Sequence, residues 1–219
     1  IFSRMNKQHA LVLGATGATG RELVKQLVAH PAFASVSIFV RKKPAFEHQK
    51  LKVHEIDFSK LESYKNLVVG DVLFSALGTT LKVAGSKVNQ YEVDYTYQYE
   101  FAKMASENGV NHYALVSSTG ANKDSCFFYL KMKGALEEEI KKLSFTAIQI
   151  FQPQTLIRQT DLLRPAEKRV IRMLNTLNRF GTLRSQKPLP VSVLAKKMID
   201  GTQHNTQDIT IYRPKDIEE

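Results

Sequence analysis

A chain of 219 residues holds one substantial hydrophobic core and leaves little room for a second, so a single domain is the starting expectation. At 43% hydrophobic and 24% charged residues it has the composition of an ordinary globular protein, which excludes a disordered or low-complexity chain; with no apolar run near the roughly 20 residues of a bilayer span, no membrane span is expected and a cytoplasmic location is. The net charge of +10 invites a nucleic-acid reading, but the basic residues are spread as Arg41-Lys42-Lys43, Lys131 and Lys133, Lys141-Lys142, Arg158 to Arg184 and Lys196-Lys197, with no basic arm or nucleic-acid motif, so no nucleic-acid partner is expected.

Ile1 to Arg4 precede Met5 and are too short for a signal peptide; set aside as a remnant or an upstream extension, they leave a domain over residues 5–219. His9 to Leu13 is a short apolar run ending at a glycine, as a buried parallel strand does. From Gly17 to Ala29, Leu23, Val24, Leu27 and Val28 recur at helical spacing, and His30-Pro31 stops the pattern. Val36 to Val40, Val53 to Phe58 and Asp71 to Leu77 read as the next three strands, with helical Leu61 to Leu67 before the last. A long helix is expected from about Asn89 to Asn108, capped by Gly109, then a strand over His112 to Ser117. A helix over Phe128 to Leu143 and a strand over Phe145 to Phe151 follow. Farther on, the spacing predicts an amphipathic helix over Ala166 to Phe180 within a basic stretch from Thr155 to Ser185, a helix from Pro188-Leu189-Pro190-Val191 to Thr202, and an edge strand over Ile209 to Tyr212. The alternation specifies an α/β fold: a doubly wound, mostly parallel sheet with helices on both faces, and residues 154–208 as a small substrate-side region.

The sharpest local signal is Gly14-Ala15-Thr16-Gly17-Ala18-Thr19-Gly20, between the first strand and the first helix. Small residues there let backbone N–H groups approach a pyrophosphate, the helix N-terminus adds a dipole that favours negative charge, and Gly20 lets the helix pack on the strand. The end of the second strand then bears on which dinucleotide is bound. A site for NAD(H) usually places an acidic residue there, whereas Val40 is followed by Arg41 and Lys42, and a guanidinium can bond a 2′-phosphate while stacking on adenine. NADP(H) is therefore expected over NAD(H), and no metal is.

With these features in place, the chain resembles the short-chain dehydrogenase/reductase family in its atypical branch, in particular the Tat-interacting, metastasis-suppressor-like oxidoreductase group. The resemblance runs through the glycine turn, Leu77-Gly78-Thr79-Thr80, Ser117-Ser118-Thr119-Gly120-Ala121 and Phe128-Tyr129-Leu130-Lys131-Met132-Lys133-Gly134. It implies that Asp57 and Phe58 border the adenine, with a strand-end cap as the alternative role for Asp57, and that Ala76, Leu77, Gly78 and Thr79 line the cofactor's central portion. Tyr129 and Lys133 match the family's Tyr-x-x-x-Lys, and their i,i+4 spacing puts them on one helical face. In that arrangement Tyr129 exchanges a proton while Lys133 stabilises its phenolate and holds the nicotinamide ribose.

Ser118 completes the set with a hydroxyl for the substrate oxygen, and Ser117 is its close rival. The interval from Ser118 to Tyr129 is shorter than is usual in the family. After the sixth strand, Gln152 stands where many relatives carry arginine, and Pro153 borders the nicotinamide. Cys126, beside Phe127 and Phe128 and with no partnered histidine evident nearby, is expected to pack in the core or a pocket wall. The expected activity is NADP(H)-dependent oxidoreduction of a small carbonyl or alcohol. A dinucleotide-dependent regulatory protein and an epimerase or dehydratase with retained cofactor stand as alternatives.

Overall fold

The computed structural model of the protein describes residues 7–157, 188–203 and 208–218. Strand β1 (Gln8–Leu13) has its last four residues buried, because a strand covered by helices on both faces has no side to give to water. Helix α1 (Ala18–Ala29) ends at His30, ahead of the proline. Strand β2 (Phe33–Val40) begins three residues before the expected start, since Phe33 is itself fully buried. Strand β3 (Leu51–Glu55) stops short of Asp57, whose carboxylate accepts the Ser59 N–H at 3.0 Å and starts a 3-10 helix over Phe58–Leu67. That cap turns the chain out of the extended state sooner than the apolar pattern indicates. Strand β4 (Val72–Ser75) follows.

The long helix expected from about Asn89 to Asn108 is present from Lys87 to Glu107, with a π turn inside it. Helices α2 (Leu81–Ala84) and α3 (Lys87–Tyr91) are short and capped by the Thr80 and Ser86 side chains. A π turn over Glu92–Thr96 then leads into α4 (Tyr97–Glu107), and the Tyr97 N–H bonds the Glu92 carbonyl five residues back. Hydrophobic spacing does not register one extra residue in a helical turn. Strand β5 (His112–Val116), helix α5 (Phe128–Ile140) and strand β6 (Ala147–Phe151) complete the second half. Strands β7 (Leu156–Ile157) and β8 (Leu189–Pro190) pair with each other in parallel, and α6 (Val191–Gln203), β9 (Ile209–Tyr212) and α7 (Pro214–Glu218) follow. The helix expected over residues 166–180, and the basic stretch beyond residue 157, lie outside the described residues.

Among the described residues, seven strands form one sheet in the order β3-β2-β1-β4-β5-β6-β9, parallel at every pairing, with β9 at an edge as expected. Successive side chains of β1 serve opposite faces. Ala10 and Val12 pack with Leu23 and Leu27 of α1 and Leu194 and Met198 of α6. Leu11 and Leu13 pack with Phe101 and Met104 of α4 and Leu136 and Ile140 of α5. The sheet is thus doubly wound. Its order reverses between β1 and β4, which opens a crevice at the carboxyl ends of those strands.

Candidate functional site

A crevice of about 800 Å³ occupies this switch point. The turn after β1 forms one of its ends. Gly14 adopts φ +83, and an added Cβ there would stand 2.5 Å from the Leu77 nitrogen, so the turn lies directly on the chain leaving β4. A Cβ on Gly20 would stand 2.1 Å from the Gly14 carbonyl oxygen, so α1 is pressed onto the same turn. Gly17 supplies no side-chain cap to α1, whose first turn carries no acidic residue. Gly17, Ala18 and Thr19 line the crevice, as do Ala76, Leu77, Gly78 and Thr79 across from them. Thr16 lies at the exposed outside, its carbonyl accepting the Arg21 Nε at 3.2 Å. An open helix N-terminus on a turn packed too closely for side chains is the donor set that a pyrophosphate requires, so the residues present fit a dinucleotide.

The other end of the crevice gathers Ser118, Tyr129, Lys133 and Pro153. Ser118 follows β5 and lines the crevice beside Tyr129, close enough to act on the ionisation of its hydroxyl, so the short connection still brings the two together. Ser117 points elsewhere. Its hydroxyl is buried and bonds the Glu137 carboxylate, which also accepts the Gln152 amide at 3.0 Å on each oxygen. The two serines that the sequence left as rivals are thereby separated by their partners. Gln152 thus has a buried acid to hold.

Lys133 is 3% exposed and its ammonium donates to the Val116 carbonyl at 3.4 Å. Burial lowers its pKa, while the neighbouring Asp94 and Glu137 carboxylates oppose that. Tyr129 is 38% exposed along the crevice, yet the pKa of its hydroxyl is raised, first by desolvation and then by Asp94, against the opposing effect of the nearby Ser118 hydroxyl. The protein's own groups therefore keep Tyr129 a neutral phenol, in contrast with the expected stabilisation of a phenolate by Lys133. Burial is the main physical reason, and Asp94, which the sequence reading missed, adds to it. Asp94 is fully buried, and its Oδ1 accepts the Thr79 N–H at 2.6 Å.

Glu137 was missed as well, although Tyr129, Lys133 and Glu137 stand at i, i+4 and i+8 on one stripe of α5, and that spacing is visible in the sequence. Asp94 gave no such signal, because the π turn sets its direction.

Four expected residues stand apart from the crevice lining, beyond the ends of β2 and β3. Arg41 and Lys42 are exposed, and Arg41 is close enough to Tyr97 to act on its ionisation. Asp57 spends its carboxylate on Ser59, which holds its pKa below the usual range. Phe58 turns its ring into the core, 5.4 Å from that of Tyr97. Cys126 is exposed and not packed in the core as expected, because the chain runs along the surface before α5 and leaves Phe127 68% exposed too.

The loop from β5 to α5 crosses its own helix at Gly134, where an added Cβ would stand 2.3 Å from backbone atoms of Asn122 and Lys123. Gly134→Ala is therefore expected to cost about 1–3 kcal/mol through overpacking. A urea titration should show a lower midpoint at unchanged slope, and an unaltered midpoint would mean that the loop yields freely.

Residues 14–161 match the NAD(P)H-binding family. Rat HTATIP2 is 34% identical over 168 residues, covering 75% of this chain and 69% of that protein. The Candida albicans protein FMP52, mitochondrial, is 39% identical over 151 residues, covering 67% of this chain and 66% of its own. The chain thus spans about two thirds of these relatives' length. A short-chain dehydrogenase from Burkholderia cenocepacia in complex with NADP has the same fold, with a TM-score of 0.67 at 14% identity over 99% of this chain and 92% of that one. A UDP-N-acetylglucosamine 4-epimerase from Methanobrevibacter ruminantium gives a TM-score of 0.70 at 14% identity, covering 94% and 76%.

The cytoplasmic location expected from composition is overturned by the FMP52 relatives, several of which are named mitochondrial. A globular dinucleotide-binding domain has the same composition in either compartment, because a protein's address is read from a dedicated segment and not from its core.

Proposed function

Because the chain belongs to the NAD(P)H-binding family, among the atypical short-chain dehydrogenase/reductases, we propose that it is an NADP(H)-dependent reductase of small carbonyl compounds. One observation carries the reading. Tyr129, beside Ser118 and one turn from the buried Lys133, lines the same crevice as the glycine turn. In this reading the N–H groups from Gly14 to Gly20 hold the pyrophosphate, with Thr16, Ala18 and Thr19 at its margin. Arg41 and Lys42 meet the 2′-phosphate. The backbone at Asp57 and Phe58 borders the adenine, and residues 76–79 line the middle of the cofactor. Pro153 borders the nicotinamide, and Lys133 holds the adjoining ribose.

When bound, the nicotinamide supplies the hydride. Ser118 orients the substrate oxygen, and Tyr129, held as a neutral phenol, gives that oxygen its proton. Leu81, Val83, Leu156 and Val191 line the rest of the crevice and favour a substrate with an apolar substituent. Within residues 154–208 of a single domain over 5–219, Gln154, Thr155, Leu156 and Val191 are assigned to this substrate side, while the rest of α6 packs against α1 and residues 158–187 and 204–207 lie outside the described residues. A mitochondrial location is proposed from the FMP52 names.

Calorimetric titration tests the coenzyme. NADPH is expected to bind at least about tenfold more tightly than NADH, as a charge-assisted bond to the extra phosphate supplies, and Arg41→Ala should erase the difference. Equal affinities in the wild-type protein would end the claim to NADP(H).

A further inference from the structure

Asp94 and Glu137 are buried behind the crevice wall and flank Lys133, which lines the crevice, in one cluster. Asp94 is fully buried, and Lys133 and Glu137 are 3% and 4% exposed. Lys133 acts electrostatically on Asp94, and both carboxylates act on Lys133. Two acids thus face one ammonium, and among the described residues Lys133 is the only buried lysine or arginine. The partners that complete the cluster are neutral. Asp94 takes the Thr79 N–H on Oδ1 and the Gln90 amide at 3.4 Å on Oδ2, and Glu137 takes the Ser117 hydroxyl and the Gln152 amide.

The unbalanced carboxylate lies just behind the reacting end of the crevice. Gly78 and Thr79 line that crevice, and the Asp94 Oδ1 bonds one of them and lies 3.4 Å from where a Cβ on the other would stand. Lys133 and Tyr129, both of which feel the Asp94 charge, line it too. An acid buried with too little positive charge is costly to keep ionised, and burial does push the Asp94 pKa up. A cation arriving on the open side of the wall would offset that cost.

The two redox forms of a nicotinamide dinucleotide carry the same phosphates and adenine. They differ in the ring, which is positive when oxidised and neutral when reduced. We propose that Asp94, with Glu137 behind Lys133, makes this site discriminate between the redox forms and favour the oxidised one. The inference rests on the reading that the nicotinamide lies at the Tyr129 and Lys133 end. By a thermodynamic cycle, a site that binds the oxidised form more tightly makes the bound reduced form a stronger hydride donor, which suits a reductase.

The test is the ratio of two dissociation constants, measured on the full chain with NADP+ and NADPH. Asp94→Asn keeps an acceptor for the Thr79 N–H and removes the charge. It is expected to lower the preference for NADP+ over NADPH by roughly tenfold, as loss of one charge several ångströms from the ring implies. A purely structural role for Asp94 weakens both forms by the same factor, and an unchanged ratio overturns the proposal. If Asp94→Asn does not fold, Glu137→Gln must move the ratio in the same direction, and a fixed ratio there is again the overturning result. Failure of the wild-type chain to bind either coenzyme is a separate outcome, which sinks the dinucleotide reading and this inference with it.

Discussion

Tyr129→Phe is expected to slow carbonyl reduction by NADPH roughly 100-fold or more, the usual loss when a positioned acid is removed. The ring that lines the crevice is retained and only the hydroxyl is lost, so NADPH affinity should change little. The pH profile follows from the direction of the shift. The Tyr129 pKa is raised, and the proton to be given is present at all pH values below it. Reduction should therefore be flat through neutral pH and decline only in the alkaline range, beyond the ordinary tyrosine value of about 10. A panel of aldehydes, ketones and quinones with NADPH checks both points. Wild-type turnover that persists in the phenylalanine variant would refute the assignment of the acid. A coenzyme-dependent change in conformation or partner binding that survives Tyr129→Phe, without turnover on any panel member, would favour a regulatory protein over a reductase.

The second large effect is expected at the glycine turn. Gly17→Val should abolish the rise in melting temperature caused by NADPH while leaving the unliganded protein folded. A Cβ at Gly17 meets the Gly14 carbonyl oxygen at 3.3 Å, a contact that a small shift relieves, whereas one at Gly20 would stand 2.1 Å from the same atom and break the packing of the turn. The valine would project where the phosphates must approach the N-terminus of α1. A variant stabilised by NADPH as much as the wild type would show that the phosphates bind elsewhere.

The sheet and most of the crevice were legible in the sequence, because buried parallel strands are short apolar runs and α1 and α5 carry regular periodicity. The pair Tyr129 and Lys133 was marked by the family resemblance, and its i,i+4 spacing on α5 brings the two side chains to one face. What failed were features set by a local hydrogen bond or a contact distant in sequence. The Asp57 bond to Ser59 ended β3 early. Ser117 and Ser118 are chemically alike and adjacent, and only the buried Glu137, twenty residues on from Ser117, tells them apart. Cys126 directly precedes two phenylalanines in sequence, and yet it and Phe127 lie on the surface. Asp94 was hidden because helical periodicity assumes an unbroken register through residues 92–96.

That broken register has a mechanical side. The wide turn over Glu92–Thr96 holds one residue more than a regular α-helix would use, and one residue corresponds to about 100° of rotation around the axis. Deleting a single residue there would let α3 and α4 merge into a straight rod with a full set of regular hydrogen bonds. The same deletion would swing everything on the near side around the axis, carrying Asp94 away from Thr79 and Lys133. Local helical regularity and the electrostatics of the crevice are thus set against each other at one turn, and the chain keeps the less regular arrangement where it faces Thr79 and Lys133.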